Sequence, residues 1–128
     1  MTRIVASAAA LLVAAFGITA DARPLKPEQE AAIRPAGKPV DCIPIRAIQS
    51  SRVRDDQTID FYMGGRKVYR NRLPQRCFGL GFEERFAFST SLSQLCSVDI
   101  ITVLRTTPGG GGPSCGLGKF QPITGAPR

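Results

Sequence analysis

Four cysteines and no histidine, in a chain of 128 residues, constrain this protein more than any other feature. Cys42, Cys77, Cys96 and Cys115 are separated by stretches of 34, 18 and 18 residues. Structural zinc sites usually draw thiolates from pairs about two to four residues apart, because one tight turn then presents both ligands. These spacings do not fit, and the imidazoles that complete many zinc sites are missing. An even cysteine number in a short exported chain reads instead as two disulfides. Four cysteines allow three pairings. Cys42–Cys77 with Cys96–Cys115 is the pairing expected here, since each bridge then closes a unit local in sequence.

Export is read from the N-terminus. Arg3 precedes an uncharged, alanine-rich run from Ile4 to Ala20, and Ala20-Asp21-Ala22 follows. This is the layout of a signal peptide over residues 1–22, with cleavage after Ala22. The run is short and weakly apolar beside the roughly 20 residues that span a bilayer, so no membrane span is expected in the mature chain. Cleavage would remove Arg3 and Asp21 together and leave the net charge at +7.

The remainder divides in three. Residues 23–40 carry four prolines, mixed charge and few large apolar side chains, which reads as a flexible arm with at most two helical turns in "PEQEAAIR". Residues 41–123 form the disulfide-stapled domain, near the size at which a single core is marginal without cross-links. Residues 124–128 read as a tail. Within the domain, Thr58–Met63 alternates Ile59, Phe61 and Met63 against Thr58, Asp60 and Tyr62. Gly64-Gly65 and a second β-rich run, Arg66–Leu73, complete a hairpin signal. Arg46–Arg54 predicts an earlier strand ending in a turn at Asp55-Asp56. Arg85–Ser89 is a short strand with Phe86 and Phe88 on one face. Val98–Leu104 is a near-continuous β-branched block, expected as a central strand buried on both sides. Gly118–Ile123 closes the domain. Only Ser91–Leu95 and the start of the domain look helical. The fold class is therefore mainly β, a small antiparallel sheet or partly open barrel.

Pro108–Phe120, "PGGGGPSCGLGKF", invites a nucleotide-loop reading that its details exclude. With Gly118-Lys119 as the glycine–lysine pair of a P-loop, the first glycine falls on Pro113, and Phe120 stands where a hydroxyl should meet magnesium. Neither this segment nor "GLGFEE" (Gly79–Glu84) leads from a strand into a phosphate-binding helix. Pro108–Ser114 reads as a flexible loop. The echo between "CFGLGF" at Cys77 and "CGLGKF" at Cys115 reads as one solution used twice, a disulfide entering a tight glycine turn.

Without histidine, no Ser-His or Cys-His nucleophile pair can form. With all cysteines bridged, no thiolate remains, and no cofactor is expected. Two carboxylate pairs, Asp55-Asp56 and Glu83-Glu84, leave a hydrolase of unfamiliar type as an alternative. Adjacent strand residues point to opposite faces, however, and both pairs fall at expected turns, where such residues are ordinarily solvated. The strongest constellation is basic: Arg66, Lys67, Arg70, Arg72 and Arg76 within eleven residues. Arg70 and Arg72 share a strand face and are expected at a surface that tolerates substitution. Such a ridge suits a polyanion, with Tyr62 or Tyr69 available to stack. In an exported protein the polyanion is an anionic envelope component, such as lipid head groups or lipopolysaccharide, rather than nucleic acid. The bland reading is a solvated basic face that discourages edge pairing.

The succession "DCIPIRAIQSSRVRDDQTIDFYMGGRKVYRNRLPQRC", "SLSQLCSVDIITVL" and "CGLGKFQPI" resembles a family of small exported proteobacterial proteins that share a four-cysteine domain of unknown function. The likeness covers about residues 41–123. It implies a signal peptide, a periplasmic or surface setting and a four-cysteine domain, and it transfers no activity, ligand or site residue. The function expected is a non-enzymatic binding or structural role in the cell envelope, with electrostatic binding of anionic envelope polymers or lipids as the sharper alternative.

Overall fold

The structure, a computed structural model, describes residues 24–106 and 111–127. The expected signal peptide and the first residues of the glycine-rich loop lie outside these. Along the chain run a short helix α1 (Pro27–Ala31) and strands β1 (Arg34–Pro35), β2 (Cys42–Pro44), β3 (Ile48–Asp55), β4 (Thr58–Met63) and β5 (Val68–Arg72). Helix α2 (Leu80–Glu83) follows, then β6 (Phe86–Phe88), β7 (Gln94–Cys96), β8 (Ile100–Leu104), β9 (Gly111–Gly116) and β10 (Phe120–Thr124). All strand pairs are antiparallel. They make a five-stranded sheet in the order β1-β10-β5-β4-β3, a pair β2-β7 and a three-stranded sheet β6-β8-β9. The chain is mainly β, as its patterning predicts, and its sheets do not close into a barrel.

Alternation in β4 sets the layering. Ile59, Phe61 and Met63 face the main core, with Tyr69 on β5, Leu73 just past its end and Phe120 on β10. The Phe61 ring meets Phe120 and Phe86 edge-on, with centroids 5.6 and 6.2 Å apart. This geometry sets the positive edge of one ring against the negative face of another. Ile101 and Val103 close the core from β8. The β-branched block is buried on one side only: Ile100 is 56% exposed while Ile101 is fully buried. β8 is central in its three-stranded sheet, but only one face of that sheet meets the core.

Four segments differ from the sequence reading. Residues 24–40 are not a spacer beside the domain. β1 is the edge strand of the five-stranded sheet, with Arg34 paired to Thr124 and Pro35 to Ile123, and α1 reaches that sheet through Glu30, which bonds to Arg70. The C-terminal segment joins them: Ile33 and Ala126 pack on Tyr62, Val68 and Ile123, forming a second small core on the outer face. Every residue of β4 is consequently buried. Prolines mislead here because an edge strand tolerates them where a central strand does not. The third segment is Ser91–Leu95, which is not helical; Gln94 and Leu95 enter β7, where Leu95 is buried against the main core. The latter half of the glycine-rich loop is likewise strand β9, paired with β8.

The disulfide pairing also differs. Cys42 is bonded to Cys96 and Cys77 to Cys115. Cys42 and Cys96 stand opposite each other across the β2–β7 pair, with Cα atoms 4.0 Å apart. The expected pairing presumed bridges within local units. β2 instead pairs with a strand more than fifty residues away, and the sequence separation of this bridge is 54. The second bridge joins the two "GLG" echoes, whose Leu80 and Leu117 are both buried in the core. The first echo continues into α2 and the second into β10, so the shared turn leads to different elements.

One close approach locks the sheet. Asn71, fully buried, donates from Nδ2 to the Gly118 carbonyl at 2.7 Å and accepts the Gly118 N–H at Oδ1 at 2.9 Å. Its side chain thereby acts as an extra backbone rung leading into β10. A Cβ on residue 118 would lie 2.2 Å from the Arg72 carbonyl oxygen, which is main chain and has little freedom to retreat. Gly118→Ala is expected to lower stability by about 3 kcal/mol. Urea denaturation checks this, and a midpoint equal to wild type would contradict the packing.

Candidate functional site

The five cations of the sequence cluster lie on or beside the β4–β5 hairpin, and the fold divides them. Arg70 pairs across strands with Asp60. Its Nε donates to Asp60 Oδ1 at 2.8 Å and its Nη2 to Oδ2 at 3.0 Å, while Nη1 bonds to Glu30 of α1. Arg54 completes the group, with Nε 3.0 Å from Asp60 Oδ2 and Nη2 2.7 Å from the Tyr62 hydroxyl. That hydroxyl donates onward to the Pro127 carbonyl. Two guanidinium groups and two carboxylates thus balance between the sheet, α1 and the segment ending at Pro127. Burial alone would loosen the proton on Arg70, but hydrogen bonds to Asp60 and Glu30, with their negative charge, outweigh it and hold the guanidinium protonated more firmly than usual. Arg70, expected at a tolerant surface, is a structural residue. Tyr62 and Tyr69, expected to stack on a ligand, are 6% and 9% exposed and belong to the two cores.

Arg76 is paired as well, with Nε 3.0 Å from Asp56 Oδ2 and its guanidinium over the Phe78 ring. Asp56 also accepts the Gly81 N–H at 2.8 Å, and Asp55 Oδ1 accepts the Gln57 N–H at 2.8 Å. The first carboxylate pair therefore organises the β3–β4 turn and its junction with α2. Arg72 stands opposite Thr58 at the same end of the sheet, exposed and without an ion pair among the described residues.

Arg66 and Lys67 occupy the other end. Gly65 and Arg66 have φ values of 73° and 64°, the left-handed pair that a tight hairpin turn requires. Glycine meets this demand freely; arginine does not. Lys67 is exposed, with Nζ 5.1 Å from the Tyr69 ring centroid. Arg46 lies outside the basic cluster of the sequence. Register places it here, because Ile48 pairs with Met63 and Arg46 lies two residues earlier, in the 3₁₀ turn Ile45–Ala47. The segments Ile45–Gln49 and Gly64–Lys67 hold these three cations and no acidic residue. None of the three forms an ion pair among the described residues. The end of the sheet near the β3–β4 turn instead gathers Asp55 and Asp56.

No protein-family model, no curated protein and no solved structure matches this chain. The two bridges leave no free cysteine, which is the state of proteins in an oxidising, non-cytoplasmic setting. Among the described residues no group of side chains is arranged to hold a metal ion, and no helix is long and apolar enough to cross a membrane.

Proposed function

We propose that this protein is a non-enzymatic binding domain of the cell envelope, periplasmic or secreted after removal of residues 1–22, and that it engages anionic envelope polymers or lipids through the tip of its β4–β5 hairpin. Arg66 carries the reading. An arginine in the left-handed region costs about 1 kcal/mol or more relative to a residue suited to it. A side chain kept at that cost, at an exposed tip, with no partner among the described residues, fits a role outside the fold. Lys67 and Arg46 at the same end add charge of the same sign, and the net charge of +7 favours approach to an anionic surface. The resemblance to exported proteobacterial four-cysteine proteins agrees with this setting.

Each cation near an anionic membrane contributes about 1 kcal/mol, so three contribute about 3 kcal/mol at low salt. The mature chain is expected to sediment with vesicles containing phosphatidylglycerol, to ignore pure phosphatidylcholine, and to be released as salt shortens the screening length. Equal binding to both vesicle types, or binding indifferent to salt, would contradict the proposal.

A further inference from the structure

Leu92 is 66% exposed, in the loop between β6 and β7. Thr90 Oγ1 accepts its N–H at 3.2 Å and holds the loop in a turn. From Phe86 to Gln94 the chain has no charged residue. A lone exposed apolar side chain means little by itself; what surrounds this one gives it meaning. Pro44 pairs with Gln94, and the Ile45 N–H donates to the Ser93 carbonyl at 3.0 Å. The loop is thereby tied to the residue before Arg46. Ile48, two residues beyond Arg46, pairs with Met63, and Met63 leads into the turn that carries Arg66 and Lys67.

This end of the molecule therefore presents an exposed leucine beside three exposed cations that form no ion pair among the described residues. The segments that build it, residues 43–50, 63–67 and 86–94, contain no acidic residue to offset that charge. Cations next to an apolar side chain match a bilayer surface, which offers anionic head groups above and acyl chains beneath. A soluble polyanion would answer the cations and leave Leu92 in water. We propose that the partner of this end is an anionic lipid bilayer, and that Leu92 enters its acyl region while Arg46, Arg66 and Lys67 meet the head groups. The proposal rests on the hairpin-tip reading above and narrows its partner from polymers or lipids to lipids alone. Phe82 supplies the contrast. It is equally exposed at 66%, but its neighbour Gly81 bonds to Asp56 in the β3–β4 turn, at the opposite end of β4, where Asp55, Asp56, Glu83 and Glu84 gather. That end faces away from the bilayer.

The chain has no tryptophan, so Leu92→Trp and Phe82→Trp each install a single fluorescent reporter at an exposed position. On addition of phosphatidylglycerol vesicles, the emission of the Leu92→Trp variant is expected to shift to the blue and to be quenched by brominated acyl chains. The Phe82→Trp variant is expected to show neither change. Leu92→Ser is expected to melt with wild type and to bind the vesicles about fivefold more weakly, whereas Phe82→Ser is expected to bind them as wild type does. Wild-type vesicle binding with no shift in Leu92→Trp and no loss in Leu92→Ser would overturn the insertion of Leu92 and leave the electrostatic reading of the tip standing; competition by soluble polyphosphate would then mark a polymer as the partner. A shift in Phe82→Trp but not in Leu92→Trp would overturn the proposal by placing the other end against the bilayer. Absence of any vesicle binding by wild type would overturn both the insertion and the reading on which it rests.

Discussion

Reduction of Cys42–Cys96 and Cys77–Cys115 together is expected to unfold the domain at 25 °C, a temperature at which the oxidised protein is folded. With sequence separations of 54 and 38, each bridge removes denatured-state entropy equivalent to about 4 kcal/mol in the chain-entropy treatment. The two bridges interleave along the chain, so the second closes a loop already restricted by the first, and their sum is an upper bound. Even so, the loss is comparable with the roughly 5–15 kcal/mol that holds a typical domain folded. The β2–β7 pair is the most dependent element. It has three register pairs and stands apart from both larger sheets. Circular dichroism before and after verified reduction measures the effect, and an unchanged melting curve would show that the sheets stand without their cross-links. Peptide mapping without reductant tests the pairing itself; a Cys42–Cys77 peptide would contradict it.

Asp60→Asn is expected to lower stability by about 3–5 kcal/mol, the usual loss when one partner of a buried ion pair is removed. Asp60 is fully buried and meets both Arg54 and Arg70. The amide keeps the shape of the carboxylate but presents a donor where both of these arginines need an acceptor. Glu30 would remain as a partner of Arg70, but its side chain is half exposed. For a domain of this size the loss corresponds to a melting temperature lower by about 12 °C or more. Arg54→Met in the Asp60→Asn background should cost far less than in wild type, because the two side chains act as one unit. A melting temperature within a few degrees of wild type for Asp60→Asn would mean that the outer face is not held by this network.

How much of this was legible in the sequence depends on the range of the interaction. Hairpin β4–β5 follows from alternation and Gly64-Gly65, both local signals. The strand at Val98–Leu104 follows from its β-branched run, but the exposure of Ile100 depends on which sheet face meets the core. Arg70 shows the limit most clearly. Its sequence neighbours are basic, so it reads as part of a ridge. Its partners Asp60 and Glu30 lie ten and forty residues away. Residues 24–40 read as a spacer for the same reason: their few apolar side chains, Ile33 among them, find a second small core that exists only once β5, β4 and β10 are assembled. Locality in sequence favours Cys42–Cys77 and Cys96–Cys115, but the fold is not local, and the bridges join Cys42 to Cys96 and Cys77 to Cys115.

Under the proposed function Arg66 serves binding, whereas Arg70 is held in the Asp60 network and serves stability. Arg66→Gly separates the two most directly, measured for stability and for phosphatidylglycerol-vesicle binding on the same preparation. Glycine accepts the left-handed turn without strain, so the variant is expected to melt at or above the wild-type temperature while binding about fivefold more weakly, the loss of roughly 1 kcal/mol for one surface cation. A variant that melts lower than wild type and binds vesicles just as tightly would contradict the account.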